Sequence, residues 1–426
     1  MTIEVRIPER HVVRVYGPAR LRVLEGSLII LGARYSAGEE VELPRYRSYS
    51  LLAEDGARVE AELSGGGGIE EPVEGEEVVA EWLSAADRLA STESVMVVGP
   101  TDAGKTSLTI TLINRGLAAG RRVGVIDADV GQADVGPPGF VSAAMVDGKL
   151  VTLRRLRARY SRFIGSITPS RLEERVVGAI VDLYWRLKST EGAGLVVIDT
   201  DGWTSTLQAL EYKANACRLI DCSAAVCVGC RDELAEVFRR VFSFTETLIL
   251  PSPAVRRERS HAERRELRRE AYARYLEGAV ERVVGLGEVR ILGSCLFSGR
   301  MLSGNEVEEL SRMLDVRVIA ASETMDSLYI YYDGGEPRRE DIAAVSARYG
   351  GKHVYLYRRG CEENTLSAIP VEPGLDVIAI LRGIDFSKGE ARLLTSYQGE
   401  IKTIILGLVR LTENLEEAGR ASKCML

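Results

Sequence analysis

One stretch decides the fold of this chain: Glu93-Ser-Val-Met-Val-Val-Gly99-Pro-Thr-Asp-Ala-Gly104-Lys105-Thr106-Ser107. A short apolar strand runs into a loop bounded by Gly99 and Gly104, and a helix begins near Lys105. Such a loop turns backbone N–H groups inward, and the helix adds the positive end of its dipole, so a polyphosphate meets fixed donors. The stretch predicts a P-loop, in which Lys105 reaches the β- and γ-phosphates and the Thr106 hydroxyl serves a magnesium ion. The residues expected to contact the nucleotide are Gly99, Pro100, Thr101, Asp102, Ala103, Gly104, Lys105, Thr106 and Ser107.

Length and composition indicate a globular protein of more than one domain. The 426 residues exceed one typical hydrophobic core, and 46% of them are hydrophobic and 27% charged. No apolar run approaches the about 20 residues that span a bilayer, and the N-terminus alternates like a strand rather than a signal peptide. We therefore expect a cytoplasmic protein without a membrane partner. The net charge of −7 argues against indiscriminate nucleic-acid binding, so any such site must be local.

The rhythm of the sequence changes twice and predicts three parts. Short alternating strands over 1–70 predict a small N-terminal β-sandwich-like domain. Strands then alternate with longer helical segments over 78–284, which is typical of an α/β domain with a parallel sheet flanked by helices. This P-loop domain includes an arginine-rich helix at 256–278, and 285–426 predicts a mixed, β-rich C-terminal domain. The glycines and acidic residues of 64–77 predict a flexible link or a surface loop.

Five near-continuous apolar runs mark the strands of the parallel sheet, as expected for strands that are buried on both faces. Ligands of such sheets bind outside the carboxyl ends of the strands. The predicted strands are 94–98, 122–127, 195–199, 225–229 and 245–250.

Two carboxylates follow the second of these strands. Asp127 and Asp129 are separated by one residue, so both side chains point the same way at the strand end, toward the γ-phosphate region. Phosphoryl transfer needs position, charge neutralisation and an oriented nucleophile, so one carboxylate can serve the magnesium shell while the other faces the acceptor. A helix-capping Asp is the alternative, but Gly131 and Gln132 favour a tight turn at the site. The P-loop stretch could alternatively be a chance glycine turn before a core helix, but the presence of this second stretch, which fits the same site, disfavours that interpretation.

Together the two stretches resemble the polynucleotide 5′-hydroxyl kinases, the family that includes the kinase subunit of the messenger-RNA cleavage factor and the ribosomal-RNA processing kinase. Three later stretches are similar to further motifs of this family. The matching segments are GPTDAGKTS at 99–107, DADVGQ at 127–132, FIGSITP at 163–169, DTDGW at 199–203 and RSHAERR at 259–265. The fourth motif is NTxGW in the family, with Asn where this chain has Asp199, and the fifth resembles its lid. The resemblance implies a member of the prokaryotic or archaeal type.

The resemblance also implies roles for particular residues. Lys105 would be catalytic, and Asp129 would be the base that orients or deprotonates the 5′-hydroxyl. Arg259 and Arg264 of the lid would act at the transferred phosphoryl group. Thr106 and Asp127 would serve the metal. Trp203 would stack on the terminal base, a contact worth about 1–3 kcal/mol. The residues expected to shape the acceptor site or bond to the substrate are Gln132, Thr168, Thr200, Gly202 and Trp203.

The remaining arginines are open to two interpretations. The helix at 256–278 interleaves arginine with glutamate, and most such runs are solvated faces with i,i+4 ion pairs, so the lid match alone singles out Arg259 and Arg264. A second basic patch at 154–162 is either a track for the RNA backbone or a solvated hairpin.

The seven cysteines include one closely spaced pair, Cys227-Val-Gly-Cys230. This spacing suits a metal site. However, Cys227 lies in the apolar run 224–229, which predicts a buried strand where cysteine acts as a small hydrophobe. A structural metal site would need further ligands, which the sequence does not clearly supply, so the core interpretation is favoured.

The sequence therefore predicts an ATP- and Mg²⁺-dependent kinase that phosphorylates the 5′-hydroxyl end of RNA, with DNA as a further acceptor and RNA-processing proteins as partners. One alternative is a catalytically silent, ATP-bound scaffold subunit of an RNA-processing complex, which need not keep acceptor-side residues such as Asp129 and Trp203. Another is a P-loop GTPase or transport ATPase, but a GTPase would normally carry an NKxD sequence, which is absent. Contacts to the nucleotide base are expected from the N-terminal domain and the link.

Overall fold

The computed structural model describes residues 1–73, 75–255 and 258–420. The chain forms two compact units. The first comprises 1–136, 140–162 and 168–264, and the second comprises 137–139, 163–167 and 265–426. The first unit thus holds the predicted N-terminal part together with most of the predicted P-loop part, and the division into three domains stays a prediction.

The N-terminal part of the first unit is built from antiparallel strands, as its alternating sequence predicts. Alternate residues of these strands enter one hydrophobic core, among them Val13, Val15, Leu21 and Val23. The strands are β1 (Thr2–Ile7), β2 (His11–Tyr16), β3 (Ala19–Ile30), β4 (Ala33–Ser36), β5 (Glu40–Leu43), β6 (Ser48–Ala53), β7 (Ala57–Leu63) and β8 (Gly68–Glu70).

The alternation and the intervening glycine predict two strands at 21–24 and 27–31, but 21–24 and 27–30 belong to the single strand β3. β3 bulges where it pairs with β7, with a register shift between Val23 and Glu25. Gly26 follows the bulge at φ 74°, and a Cβ there would lie 2.1 Å from the carbonyl oxygen of Gly56. Glycine can mark a bulge as well as a turn, which is why the sequence pattern alone suggested a break.

The P-loop part of the chain alternates strands with helices, and its elements lie in the first unit except for Phe163 and residues 265–275. Its elements are α1 (Val79–Leu89), β9 (Ser94–Val98), α2 (Lys105–Ala118), β10 (Val123–Ala128), β11 (Phe140–Val146), β12 (Tyr160–Phe163), α3 (Glu173–Ser189), β13 (Leu195–Thr200), α4 (Leu207–Leu219), β14 (Ala224–Val228), α5 (Asp232–Val241), β15 (Glu246–Leu250) and α6 (His261–Tyr275). Parallel pairing gives the strand order β15-β14-β9-β13-β10. The five predicted strands are confirmed to within one residue at each end. β11 pairs antiparallel with β10 and was not predicted, because its small central residues favour strands weakly.

The predicted arginine-rich helix is shorter than 256–278. α6 begins at His261, and residues 256 and 257 lie outside the described part of the chain. Ser260 and Glu263 explain the start, because Glu263 N donates to Ser260 Oγ (3.2 Å) and Ser260 N donates to Glu263 Oε2 (2.8 Å). This reciprocal capping box fixes the first turn of the helix.

The register of the parallel strands places the functional candidates side by side. Asp127 on β10 is the register partner of Asp199 on β13, which in turn is the partner of Val97 on β9. The P-loop leaves β9 two residues later. Three carboxyl ends therefore meet at one edge of the sheet, where ligands of parallel sheets bind.

From residue 280 onward, the described residues of the second unit are β-rich and include two helices, as predicted. The elements of this part are β16 (Val280–Gly285), β17 (Arg290–Leu292), β18 (Arg300–Met301), α7 (Gly304–Leu314), β19 (Arg317–Glu323), β20 (Ser327–Asp333), α8 (Arg339–Arg348), β21 (His353–Arg358), β22 (Thr365–Glu372), β23 (Leu375–Asp385), β24 (Glu390–Thr395), β25 (Thr403–Leu411) and β26 (Glu417–Arg420). Antiparallel pairing joins β16, β24, β23, β22 and β25 in that order. A second sheet has the order β18-β19-β20-β21, and α7 and α8 pack on it. Across the described residues, no helix combines the length and apolarity needed to cross a bilayer.

The link between the N-terminal strands and α1 is held by a buried arginine. Arg14 on β2 is 1% exposed, and Nε donates to Glu77 Oε1 (2.7 Å) while Nη2 donates to Glu76 Oε2 (3.2 Å). Arg14 Nη1 also donates to Glu70 on β8, which pairs with β2. This part of the predicted flexible link is therefore fixed, because three carboxylates compensate one cation that is removed from water.

We expect Arg14→Met to lower the free energy of unfolding by about 3 kcal/mol, because it leaves the buried carboxylate of Glu77 without its cation. Urea unfolding followed by circular dichroism measures the loss. The matched control is Arg20→Met, since Arg20 makes an exposed pair with Glu40 (2.7 Å) and should change stability by less than about 1 kcal/mol. Equal effects of the two substitutions would contradict the assignment.

Candidate active site

The P-loop closes through two glycines that cannot carry a side chain without displacement. Gly99 and Gly104 have φ angles of 151° and 104°. A Cβ on Gly99 would lie 2.4 Å from the carbonyl oxygen of Val228, and one on Gly104 would lie 2.8 Å from the ring of Trp82. The loop is thus packed against β14 on one side and α1 on the other, and its path is set before any nucleotide binds.

Lys105 lies inside this loop. The side chain is largely buried, and Nζ donates to the carbonyl oxygen of Pro100 (2.9 Å) across the loop. Ser252, which follows β15, donates its hydroxyl to the carbonyl oxygen of Ala103 (2.8 Å). Two backbone carbonyls of the loop, those of Pro100 and Ala103, are therefore hydrogen-bonded by side chains. The ammonium group of Lys105 lies in the loop from which a P-loop lysine binds phosphate.

Asp127 organises the turn after β10. It is 2% exposed; Oδ2 accepts from the N–H groups of Asp134 (2.6 Å) and Val135 (2.9 Å), and Oδ1 accepts from Asp129 N (3.2 Å). Burial and the neighbouring charge of Asp199 raise its pKa. Both oxygens of Asp127 are thus committed to backbone donors, an arrangement that suits a residue that shapes the turn.

Asp129 is the more accessible of the two predicted carboxylates. Its Oδ1 accepts from the N–H groups of Gly131 (3.1 Å) and Gln132 (2.9 Å), while no described residue donates to Oδ2. The Gln132 side chain donates to the Gly131 carbonyl oxygen (2.8 Å), so it stiffens the same turn. Burial and the charge of Asp201 raise the pKa of Asp129, which brings it nearer to the range useful for a base at neutral pH.

Asp199 contacts the P-loop directly. The Thr106 hydroxyl bonds to its carboxylate, and Oδ1 is buried with no hydrogen-bond partner among the described residues. Burial raises the pKa of Asp199 to about 7, although Lys105 and Thr106 oppose the rise. An orphaned buried oxygen beside a P-loop threonine suits a magnesium ion that completes its shell with phosphate and water. No cluster of three or more His, Cys, Asp or Glu side chains in the described ranges has metal-binding geometry by itself.

The turn that carries Trp203 packs on the P-loop. A Cβ on Gly202 would lie 2.4 Å from Oγ1 and 2.8 Å from Cα of Thr101, so only glycine permits this approach. Trp203 is half-buried, and its N–H donates to Asp201 Oδ1 (2.8 Å). Thr200 is buried and donates its hydroxyl to the Val97 carbonyl oxygen (2.8 Å), so its contact is with β9 and favours a structural role.

The predicted lid residues meet the same loop. Arg264 Nη2 donates to Asp102 Oδ2 (2.6 Å), and Arg259 N donates to the same oxygen (3.3 Å). Asp102 adopts φ 57° within the loop. Burial and the neighbouring guanidinium of Arg47 lower the pKa of Arg259, which indicates a crowded cationic environment beside the phosphate site.

Sequence reasoning missed one ion-pair cluster at the site. Asp134 is 4% exposed, pairs with Arg47 from the N-terminal strands, and accepts from Arg154 Nε (2.8 Å). Burial would raise its pKa, but these two guanidinium groups hold the pKa of Asp134 well below the usual range. No local pattern could reveal the pair, because Arg47 and Asp134 are 87 residues apart in the sequence. The N-terminal part thus supplies a cation to the turn that Asp127 organises.

Most of the second basic patch is charge-compensated. Besides Arg154, its arginines pair with carboxylates: Arg155 with Glu42 (3.4 Å), Arg159 with Glu191 (3.5 Å) and Arg162 with Asp182 (2.7 Å). These pairs favour the solvated-hairpin interpretation over the RNA track.

Two further predictions concern Thr168 and the closely spaced cysteines. Thr168 is half-buried in the loop between β12 and α3. Cys227 and Cys230 are both buried, as the core interpretation requires, but they are joined in a disulfide (Cα–Cα 5.8 Å), which was not predicted. Spacing alone does not show whether two cysteine side chains face each other.

A small pocket lies beside α2, between the N-terminal strands and α1. Glu77 and Ser50 at its wall are bonded to each other, and Trp82 at its floor donates Nε1–H to the Pro251 carbonyl oxygen (2.9 Å). The pocket is lined by Leu31, Gly32, Ser50, Glu77, Val78, Val79, Trp82, Leu83, Thr111 and Pro253. The N-terminal part and the link, the regions expected to contact the nucleotide base, contribute to this lining together with α1 and α2.

Comparison with known proteins agrees with this geometry. A family model described as the P-loop of the mRNA cleavage and polyadenylation factor CLP1 matches residues 99–278. Solved structures of Clp1p in complex with Pcf11p share 13% identity, with TM-scores of 0.64 and 0.63 over 96% of this chain and 98–99% of theirs, and so share the fold.

Several proteins that are similar to this chain in sequence are named polyribonucleotide 5′-hydroxyl-kinase. A polyribonucleotide 5′-hydroxyl-kinase of Pyrococcus abyssi is 30% identical over 351 residues, which cover 80% of this chain and 95% of the relative. That of Pyrococcus horikoshii is 28% identical over 80% of this chain and 93% of its own length. Human polyribonucleotide 5′-hydroxyl-kinase Clp1 is 31% identical over 43% of this chain and 45% of its own length. The chain therefore belongs to the polyribonucleotide 5′-hydroxyl-kinase family.

Proposed function

We propose that this protein transfers the γ-phosphate of ATP to the 5′-hydroxyl end of RNA. The observation that carries the proposal is the meeting, at one sheet edge, of a P-loop, a carboxylate with a free oxygen on Asp129 and a half-exposed aromatic ring on Trp203. A P-loop and a carboxylate also suit a nucleotide-hydrolysing protein, whereas an aromatic ring beside them suits a kinase for nucleic-acid ends. The names of the archaeal relatives support the same reaction.

The nucleotide would bind across the first unit. The P-loop N–H groups and Lys105 hold the β- and γ-phosphates, and the pocket beside α2 receives the adenine base. Thr106 and Asp199 would hold Mg²⁺, which when bound neutralises charge on these phosphates. We assign the metal to Asp199 rather than Asp127, because Asp127 already accepts from backbone donors through both oxygens while Asp199 Oδ1 has no described partner.

The transfer step then needs one base and one anion stabiliser. Asp129 takes the proton of the 5′-hydroxyl as that oxygen forms its bond to the γ-phosphorus, and the bond from this phosphorus to the β,γ-bridging oxygen breaks to release ADP. Arg259 and Arg264 compensate charge on the transferred group from the lid side. The guanidinium group of Arg264 already bonds to Asp102 of the P-loop, so it needs only a small movement to reach the transferred phosphoryl group.

The acceptor would be recognised with little sequence preference. Trp203 stacks on the terminal base, and every base offers a π-face, so DNA ends are a second acceptor class. RNA-processing proteins remain the proposed partners; the solved Clp1p structures are complexes with one protein partner, Pcf11p. The alternative of a silent scaffold has no observation of its own, since the acceptor-side residues are present and ordered around the P-loop.

Lys105→Ala and Asp129→Ala should each abolish transfer and leave the fold intact, because both act on charge and geometry rather than packing. The measurement is transfer of labelled γ-phosphate from ATP with Mg²⁺ to a short 5′-hydroxyl oligoribonucleotide, beside the matched deoxyribonucleotide. Thermal unfolding reports the fold. Near-normal transfer by Asp129→Ala would show that the base is assigned wrongly, and no transfer by the unsubstituted protein despite tight ATP binding would favour the scaffold.

Gly202→Ala should weaken ATP binding as well as acceptor use, because its methyl group would displace Thr101 of the P-loop. We expect the dissociation constant for ATP to rise about tenfold, which corresponds to about 1.4 kcal/mol. Isothermal titration calorimetry measures it. Gly148→Ala is the control, since a Cβ there meets nothing within 4 Å. Unchanged ATP binding in Gly202→Ala would mean that the turn and the loop are not in contact.

Asp199→Asn should reduce ATP affinity in the presence of Mg²⁺ by about tenfold, or about 1.4 kcal/mol, because it removes a charged oxygen ligand. With a chelator in place of Mg²⁺, the substituted and unsubstituted proteins should bind ATP alike. Asp87→Asn serves as the control, since Asp87 pairs with Arg115 on the exposed surface. A loss of the same size with and without Mg²⁺ would place Asp199 outside the metal shell.

A further inference from the structure

A lysine that the sequence analysis did not single out lies under the acceptor side of the site. The side chain of Lys213 on α4 is 0% exposed. Among the described lysines that form ion pairs, none of the others is buried to this degree. Its Nζ donates to Asp201 Oδ1 (3.1 Å) and to the carbonyl oxygen of Trp203 (2.6 Å). A buried ammonium group is costly, so its two acceptors must be well placed to keep it there.

The residue next to Lys213 completes the support. The Tyr212 hydroxyl donates to Asp201 Oδ2, and its ring stacks on Trp203 with centroids 6.1 Å apart and planes 28° apart. Asp201 Oδ1 also accepts from Trp203 N (2.8 Å). Tyr212 and Lys213, which are adjacent on α4, therefore contact the turn 201–203 at both of its ends. Both bond to the Asp201 carboxylate, Lys213 also bonds to the Trp203 carbonyl, and Tyr212 stacks on the Trp203 ring.

This support is separate from the contacts that the turn makes with the nucleotide loop. Gly202 abuts Thr101 of the P-loop, whereas Lys213 and Tyr212 contact only Asp201 and Trp203 among the turn residues. Loss of the lysine would thus release the tryptophan end of the turn while the glycine end stays against the loop. The consequence should fall on the acceptor much more than on ATP.

We propose that Lys213 is a positioning residue that sets the orientation of Trp203 for stacking on the 5′-terminal base of the acceptor. The proposal rests on the proposed function, since it concerns the acceptor side of that site. Apolar pairs of similar size are often as stable as a buried ion pair, but they would not hold the Trp203 carbonyl, so we assign the pair to placement rather than to stability.

The test is a double-substitution cycle read by binding rather than by turnover. Binding of a 5′-hydroxyl oligoribonucleotide with a 3′ fluorophore is followed by anisotropy for the unsubstituted protein, Lys213→Met, Trp203→Ala and the double variant. ATP affinity is measured in parallel by calorimetry, and thermal unfolding reports the fold. Lys188→Met is the matched control, because Lys188 pairs with Glu93 (3.0 Å) at the amino end of β9.

We expect Lys213→Met to weaken oligonucleotide binding by at least about fivefold and ATP binding by less than about twofold, with Lys188→Met unchanged. Because the lysine acts through the tryptophan, the double variant should bind within about twofold of Trp203→Ala alone. Unchanged oligonucleotide binding in Lys213→Met, equal losses for ATP and oligonucleotide, or losses that multiply in the double variant would each overturn the proposal.

A milder variant keeps the proposal testable if Lys213→Met does not unfold cooperatively. Tyr212→Phe keeps the stacked ring and removes only the hydroxyl that donates to Asp201, so it should weaken oligonucleotide binding in the same direction by a smaller factor. Unchanged binding in this variant would overturn the proposal. If the unsubstituted protein binds the oligonucleotide but does not phosphorylate it, the kinase assignment fails while the cycle still decides the role of Lys213.

Discussion

The parallel pairing of β9, β13 and β10 is the constraint on which the rest of the site depends. It makes Asp127 and Asp199 register partners and ends both strands beside the P-loop that leaves β9. A shift by one residue would turn every side chain of a strand to its other face, so the all-buried strands that fix this register also fix the site. The chemistry is therefore positioned by packing that lies below it.

Burial of carboxylates at this edge has to be compensated, and each is compensated differently. Asp127 is met by backbone N–H groups, Asp134 by two arginines, and Asp201 by Lys213 and Tyr212. Asp199 is met by the Thr106 hydroxyl and by the charges of Lys105 and Arg47, yet its Oδ1 has no hydrogen-bond partner among the described residues. A cation that arrives with ATP would compensate the negative charge of Asp199 at the end of β13. Nucleotide binding would therefore depend on the electrostatics of this strand end.

What the sequence predicts well is what is local. The P-loop and the five parallel strands follow from spacing and periodicity within short windows. The contacts between Arg47 and Asp134, and between Lys213 and the Trp203 turn, join residues whose neighbours in sequence carry no shared pattern. Their chemistry becomes visible only when the fold brings the groups together. The bulge at Gly26 shows the same limit within a single strand.

We propose different roles for two residues, and both proposals have one cause. The family resemblance implies that Asp127 serves the metal and that Thr200 belongs to the acceptor site, but each side chain already bonds to a backbone group nearby. A side chain that completes a turn or a strand is thereby fixed, and it is the residue with an unsatisfied atom beside it, such as Asp199, that keeps capacity for a ligand. Counting satisfied donors and acceptors thus separates the residues that build the site from those left to act in it.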